Sequence, residues 1–527
     1  MTGTEPVRTA ILSDARASAA IAARRYGVPP TMIAAVARRR AVGDWRGACA
    51  AAGVDVYLNP DSVRRRHGAE TADRLLSALR ELAPDLLRWH LPRHGHGAGE
   101  LLSGLLVPLA EYANADSSDT NSDSGTLRLV AMTPQVALDA GQRIVLTLME
   151  TRARRRPSAD CDPVIRALLD QVHAKQAERH SLVRHPMFWS AERSPELAAL
   201  RDVSTDALRL VALQDAGDFV AAWRLAGFSL RCDDPPASRQ RWLAALPVRL
   251  TGLADRVRTA LPGVDTAALR SGSGAVVLSG LNAPSTSSAP SAAITAHAMS
   301  NHEAYGVPTI PTAAWSRSLD VDLSRRGLLG DHELHPLVAS ALVAEPPPPA
   351  LEAEEWLYRE VPFIAGPCFA ADIPTLWIQC GASTHRVAHL DGTWRPIDHG
   401  RPGDHLDRES LLHRLGGPTN PCLQATTYLS SGRHVIELAE SLLRHGRVTE
   451  VRSLLRTHAG VQVALDDLDL PAGGTVSEAL AALHENTLQL RMLLAGATRP
   501  RAAVSYRMPP RTSRRPSRKG VPARTHR

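Results

Sequence analysis

The chain has 527 residues, 44% of them hydrophobic, with no run near the ~18 consecutive apolar residues that a membrane helix needs, so folded cores are expected and a membrane span is not. Its net charge of +7 comes from the end of the chain: residues 499–527 hold ten Lys/Arg and no acid, and removing them leaves the preceding 498 residues at −3. That excludes a strongly basic folded body, the usual footprint of a nucleic-acid-binding domain.

In chain order, 14–41 has helical apolar spacing broken at Gly27-Val28-Pro29-Pro30, and 63–89 is amphipathic through Leu75, Leu76, Leu79, Leu82, Leu86 and Leu87. Short β-type runs follow at 101–112, 126–132 and 143–151, around a polar loop at 114–125. Helical spacing returns at 162–184 and 194–216, and a strand is expected at 275–278 before the Ser/Pro/Ala loop 282–291. Pro346 to Pro349 reads as a semi-rigid linker. Beyond it, 376–388 and 393–397 flank Asp391-Gly392, the pair a type I′ hairpin turn favours, and 431–497 is helical again. The fold class expected is multi-domain, mainly α with small β-meander or hairpin elements (α+β). The units expected are 1–156 and 157–300, each a helix pair plus β module; an irregular proline-rich linker, 301–350; a small α+β domain with a hairpin, 351–430; helical repeats, 431–497; and a disordered basic tail, 498–527.

Two segments repeat one another. Ala35–Val56 and Leu208–Leu230 each carry a helix, then Gly-Asp-aromatic (Gly43-Asp44-Trp45 and Gly217-Asp218-Phe219), then a second helix closed by a glycine ten residues after the first, Gly53 and Gly227. Gly suits the turn, Asp caps the second helix through its carboxylate, and the closing Gly suits positive φ. Ala72-Asp73-Arg74 and Ala254-Asp255-Arg256 recur downstream, and the runs Gly97–Leu106 and Gly272–Leu281 follow as strand-like segments near Gly/Ser clusters.

The C-terminal segment offers two further helix pairs. Glu437–Val463 carries Gly446, Glu450-Val451, Leu454-Leu455 and Ala459-Gly460-Val461, and Thr475–Ala497 carries Leu480-Ala481-Ala482, Leu490 and Leu493-Leu494. On those residues the segment 437–497 resembles degenerate ankyrin repeats, although the T-P-L-H opening is missing and corresponding leucines lie 39 residues apart. The resemblance implies a stacked-helix surface for a protein partner and no catalytic residues, with Arg447, Glu450, Arg452, His484 and Asn486 as candidate partner-facing positions.

Signatures of chemistry are sparse. Ala19–Arg40 has helix-turn-helix spacing that would turn Thr31, Ala34 and Arg38 toward bases. Asp119, Asn121 and Asp123 have a calcium-loop pattern, but Gly125 is one place late and Val130 stands where a bidentate Glu belongs. Histidines group at His90/His94/His96, at His332/His335 and at His385/His389/His399, without zinc-ligand spacing. Only two lysines occur, Lys175 and Lys519, and neither sits in a phosphate-loop motif. The six cysteines are far apart, which points to reduced thiols and a cytoplasmic setting, and the N-terminus has no apolar signal segment. No catalytic, cofactor or metal residues are assigned. The function expected is a non-catalytic protein-interaction scaffold. The alternatives are a DNA-associated regulator using 19–40 and the Arg-rich tail, and an enzyme sited around the His385/His389 hairpin.

Overall fold

The computed structural model describes residues 11–450 except 113–125, 152–162, 232–236, 283–293, 344–363, 369–374, 398–403, 418–420, 431–437 and a few shorter stretches; 1–10 and 451–527 also lie outside the description. The chain opens with α1 (Asp14–Ala22), capped by Ser13, which passes through a π-helical turn at Ala23–Gly27 into α2 (Pro30–Ala41). Then come α3 (Trp45–Ala51), β1 (Val54–Tyr57), α4 (Pro60–Glu81), which is broken at Gly68, and α5 (Pro84–His90). β2 (Leu105–Tyr112), β3 (Thr126–Thr133), α6 (Gln135–Asp139) and β4 (Ile144–Thr151) complete the first sheet, whose strand order is β1-β4-β3-β2. β1 pairs parallel to β4, Val54 against Ile144, and the other pairs are antiparallel.

Two short helices, α7 (Pro163–Leu169) and α8 (Ala177–His180), lead to a second run of elements. These are α9 (Thr205–Asp215), α10 (Phe219–Leu225), β5 (Phe228–Arg231), α11 (Ala237–Ala244), α12 (Leu253–Ala260), β6 (Thr266–Ser271), β7 (Gly274–Ser279) and β8 (Ile294–Ser300). The second sheet has the order β5-β8-β7-β6, with β5 parallel to β8, Phe228 against Ile294, and the rest antiparallel. Strand for strand, this is the scheme of the first sheet.

The local cause of the shared geometry lies in the two Gly-Asp-aromatic turns. Gly43 and Gly217 take φ of 73° and 82°. Asp44 accepts from the Gly47 N–H at 2.8 Å and Asp218 from the Ala221 N–H at 3.0 Å, so each carboxylate satisfies one of the donors left open at a helix N-terminus. Asp218→Ala should cost about 1 kcal/mol. Asp44→Ala should cost at least as much, because Asp44 also pairs with Arg39 at 3.0 Å; urea unfolding of each variant checks both. Ala72-Asp73-Arg74 and Ala254-Asp255-Arg256 lie on α4 and α12, each helix preceding the second strand of its sheet. The matching of Gly97–Leu106 with Gly272–Leu281 is corrected by the topology. β7, within the latter run, corresponds to β3, whereas β2 corresponds to β6.

After the second sheet come α13 (Thr312–Trp315), α14 (Leu319–Arg325) and α15 (Pro336–Leu342), where an irregular linker was expected. They are core elements. Leu323, Leu329, Leu334, Val338, Ala339 and Leu342 pack with Leu75, Leu79, Leu86 and Trp89 in the core of the first sheet, joined there by Trp189, Leu197 and Leu200. The expected boundaries at 156 and 300 therefore do not coincide with the cores, since the first core draws on both sides of the second sheet. A separate core beneath the second sheet holds Trp223, Phe228, Val257, Leu269, Val276, Leu278 and Trp315.

A third sheet, β9 (Ile364–Cys368), β10 (Thr375–Cys380), β11 (Ser383–Leu390) and β12 (Thr393–Pro396), is antiparallel in the order β12-β11-β10-β9. Leu390 pairs with Thr393, the register of a two-residue hairpin, although positions 391 and 392 themselves lie outside the described residues. α16 (Asp404–Arg414) and α17 (Pro421–Ser430) follow, and α17 packs on β10 and β12. The fold class is mixed α+β. No described helix is long and apolar enough to cross a membrane.

Candidate functional site

The two sheets share a topology but differ at one edge. In both, the helix after the Gly-Asp turn lies beside a terminal strand that, among the described residues, is hydrogen-bonded on one side only, β1 to β4 and β5 to β8. Beside β1 the position after the aromatic is Arg46. Its guanidinium lies 4.4 Å from the Trp45 ring centre and donates to the Leu58 carbonyl at 3.3 Å, so the side chain bridges α3 to the end of the strand. Beside β5 the equivalent position is Val220. No arm crosses there, and a groove of about 300 Å³ opens, lined by Val220, Arg224, Gly227, Phe228, Ser229 and Leu230. Val220, which lines the groove, is 39% exposed. Phe228 is buried, while Ser229 and Arg231 are exposed on the opposite face of β5. The groove thus offers an unpaired strand edge, apolar surface and one cation, Arg224.

Elsewhere polar groups are turned inward. Asp320 of α14 is buried and accepts from Arg24 Nε at 2.9 Å and from Trp89 Nε1 at 3.1 Å, with His90 Nε2 at 3.7 Å. Burial alone would raise the Asp320 pKa; the Arg24 charge and the His90 hydrogen bond outweigh it and hold the carboxyl well below its ordinary range. His335 accepts from the Leu337 N–H at Nδ1 and donates from Nε2 to Asp85 at 3.0 Å. Of the His332–His335 motif, His335 caps α15 and points into the core. Arg88, fully buried, donates to the carbonyls of Gly27 at 2.9 Å and Gln142 at 2.6 Å, and burial pulls its pKa down to about 9.

The C-terminal part of the described chain closes over this region. His445 is buried, donates from Nε2 to the Ala98 carbonyl at 3.0 Å, and has its pKa lowered to about 3 by burial beside Arg93 and Arg88. Gly446 has φ of 73°, and a side chain there would run into the Gly141 backbone at 2.3 Å, so glycine is required by contact as well as by conformation. Arg447 pairs with Glu450, and its side chain is only 14% exposed. Two residues expected to face a partner are thus engaged within the chain. Gly460, Arg452, His484, Asn486 and most of the ankyrin-like segment lie outside the described residues, as do the 119–123 loop, the proline run and the basic tail.

Gly43, Asp44, Trp45, Gly53, Gly217, Asp218, Phe219 and Gly227 occupy matching places in the two helix–turn–helix–strand units. In the 19–40 segment, Thr31, Ala34 and Arg38 share the exposed face of α2, while Met32 and Val36 are buried. His385, on β11, meets a residue that sequence spacing did not connect to it: Cys422, in the first turn of α17, has Sγ 3.2 Å from His385 Nδ1. The groove and this pair were both missed at the sequence level. The groove had one legible trace, the replacement of Arg46 by Val220 between otherwise similar units. The chain matches no family model, no curated protein and no solved structure.

Proposed function

We propose that this is a protein-interaction scaffold built from two duplicated α+β modules, and that the second module binds an extended peptide segment of its partner along β5. The observation that supports the reading is the open groove at Val220, where the first module carries the bridging Arg46. A strand edge supplies backbone hydrogen bonds to any extended peptide, while side-chain pockets beside it select which one. Here the flanking surface selects alternating apolar side chains, with an acidic residue placed opposite Arg224. An exposed apolar edge is otherwise an aggregation hazard, so its retention on one module and closure on the other fits a binding use. The ankyrin-like segment would add a second, helical surface.

The test uses a photo-crosslinking residue in place of Ser229 in the full chain, in native lysate. A discrete crosslinked protein is expected, and Val220→Arg, which imports the closure of the first module, should reduce its yield at least about tenfold, the equivalent of ~1.4 kcal/mol. A crosslinking pattern that is the same with and without Val220→Arg would refute the reading.

A further inference from the structure

We propose that Cys422 and His385 form a thiol–imidazole site at which hydrogen peroxide oxidises Cys422. The geometry is specific. Cys422 follows Pro421 in the first turn of α17, a ten-residue helix whose N-terminal end favours negative charge on the sulfur. His385 is held on β11 by pairing with Ile378 of β10, and its Nδ1 sits 3.2 Å from Sγ, within hydrogen-bond reach; the tautomer proposed is the one whose Nδ1 accepts from the thiol. Both groups are enclosed: Cys422 has no exposed surface and His385 is 8% exposed. That enclosure selects the reactant. A peptide or a bulky ester cannot reach the sulfur in this arrangement, so the reactant we assign is a small, neutral oxidant, hydrogen peroxide.

The step balances with peroxide as the named oxidant. The Cys422 proton moves to His385 Nδ1, giving thiolate and imidazolium. The thiolate attacks one peroxide oxygen, an S–O bond forms and the O–O bond breaks. The departing hydroxide takes the proton from His385 and leaves as water. Sulfur is oxidised by two electrons to the sulfenic acid, peroxide is reduced, and the imidazole returns neutral.

The chain contains its own comparison. Cys49 is also fully buried, but no imidazole lies within hydrogen-bond reach of it among the described residues, and burial pushes its thiol up to about 12. The test exposes the full chain to hydrogen peroxide for timed intervals, quenches, unfolds, blocks remaining thiols and quantifies each cysteine peptide by mass. Cys422 is expected to be consumed at least about ten times faster than Cys49, and His385→Gln to bring the two rates within about threefold. Equal rates in the unaltered protein overturn the proposal, as does a folded His385→Gln variant in which Cys422 keeps its advantage. Should His385→Gln fail to fold, the rate ratio in the unaltered protein decides by itself.

Discussion

Asp320→Ala is expected to destabilise the protein by about 3–5 kcal/mol, the largest effect of any single substitution considered. The carboxylate lies 296 residues from Arg24 in sequence and is 2% exposed, so its removal leaves a guanidinium buried without its counter-charge and the Trp89 N–H without its acceptor. Replacing both partners by apolar residues of similar size, Arg24→Met with Asp320→Leu, should restore the part of the loss that comes from the unpaired guanidinium, while the Trp89 N–H stays without its acceptor. Urea unfolding of the three variants checks this. Recovery in the double variant is the diagnostic result, and a double variant no better than Asp320→Ala would remove the pair from the explanation. The Asp320 pKa is lower in the folded chain than in the unfolded one, so its stabilisation is present above about pH 4 and is lost as the pH falls below that.

The second large effect is acid release of the segment around His445. This ring is neutral and enclosed in the folded chain, with a pKa of about 3 set by burial beside Arg93 and Arg88, against about 6.5 when free. The unfolded or undocked segment therefore binds the proton first. Docking should weaken by about 1.4 kcal/mol per pH unit as the pH falls from about 6.5 toward 3. His180 and His185, both lowered to about 4 by burial and neighbouring arginines, lower the overall stability of the fold in acid rather than the docking of this segment. Limited proteolysis around 431–450 across this pH range reads the release directly. His445→Gln retains a donor for the Ala98 carbonyl without the titration, and should flatten the dependence; an unchanged acid profile in that variant would assign the release to other groups.

How much of this was legible beforehand depends on sequence distance. The helix pairs were legible because Gly-Asp-aromatic acts locally: the glycine sets the turn, and the carboxylate caps the helix that begins at the next residue. The strands from 105 to 151 and the hairpin register at Leu390 and Thr393 were legible for the same reason. α14 and α15 were not. Each has seven residues, too few for apolar periodicity to separate from chance, and Pro336 at the start of α15 reads equally well as a loop. Asp320 with Arg24, His335 with Asp85 and Cys422 with His385 were beyond reach as well, because contacts between distant residues leave no spacing pattern. The mistaken match of β7 with β2 arose from Gly/Ser punctuation, which many turns share.

The docking of Gly446 against Gly141 also sets an order of events during synthesis. The Ala98 carbonyl waits 347 residues for His445, roughly 20–70 s at ordinary translation rates. Arg24 likewise emerges unpaired, far ahead of Asp320. The first sheet thus leaves the ribosome with an unfinished core, whereas the second, whose core runs from Leu210 to Trp315, can close over its own Trp223 and Val276 earlier in its own history. The part of the chain made first is the part completed last, and during that interval it depends on whatever shields nascent apolar surface.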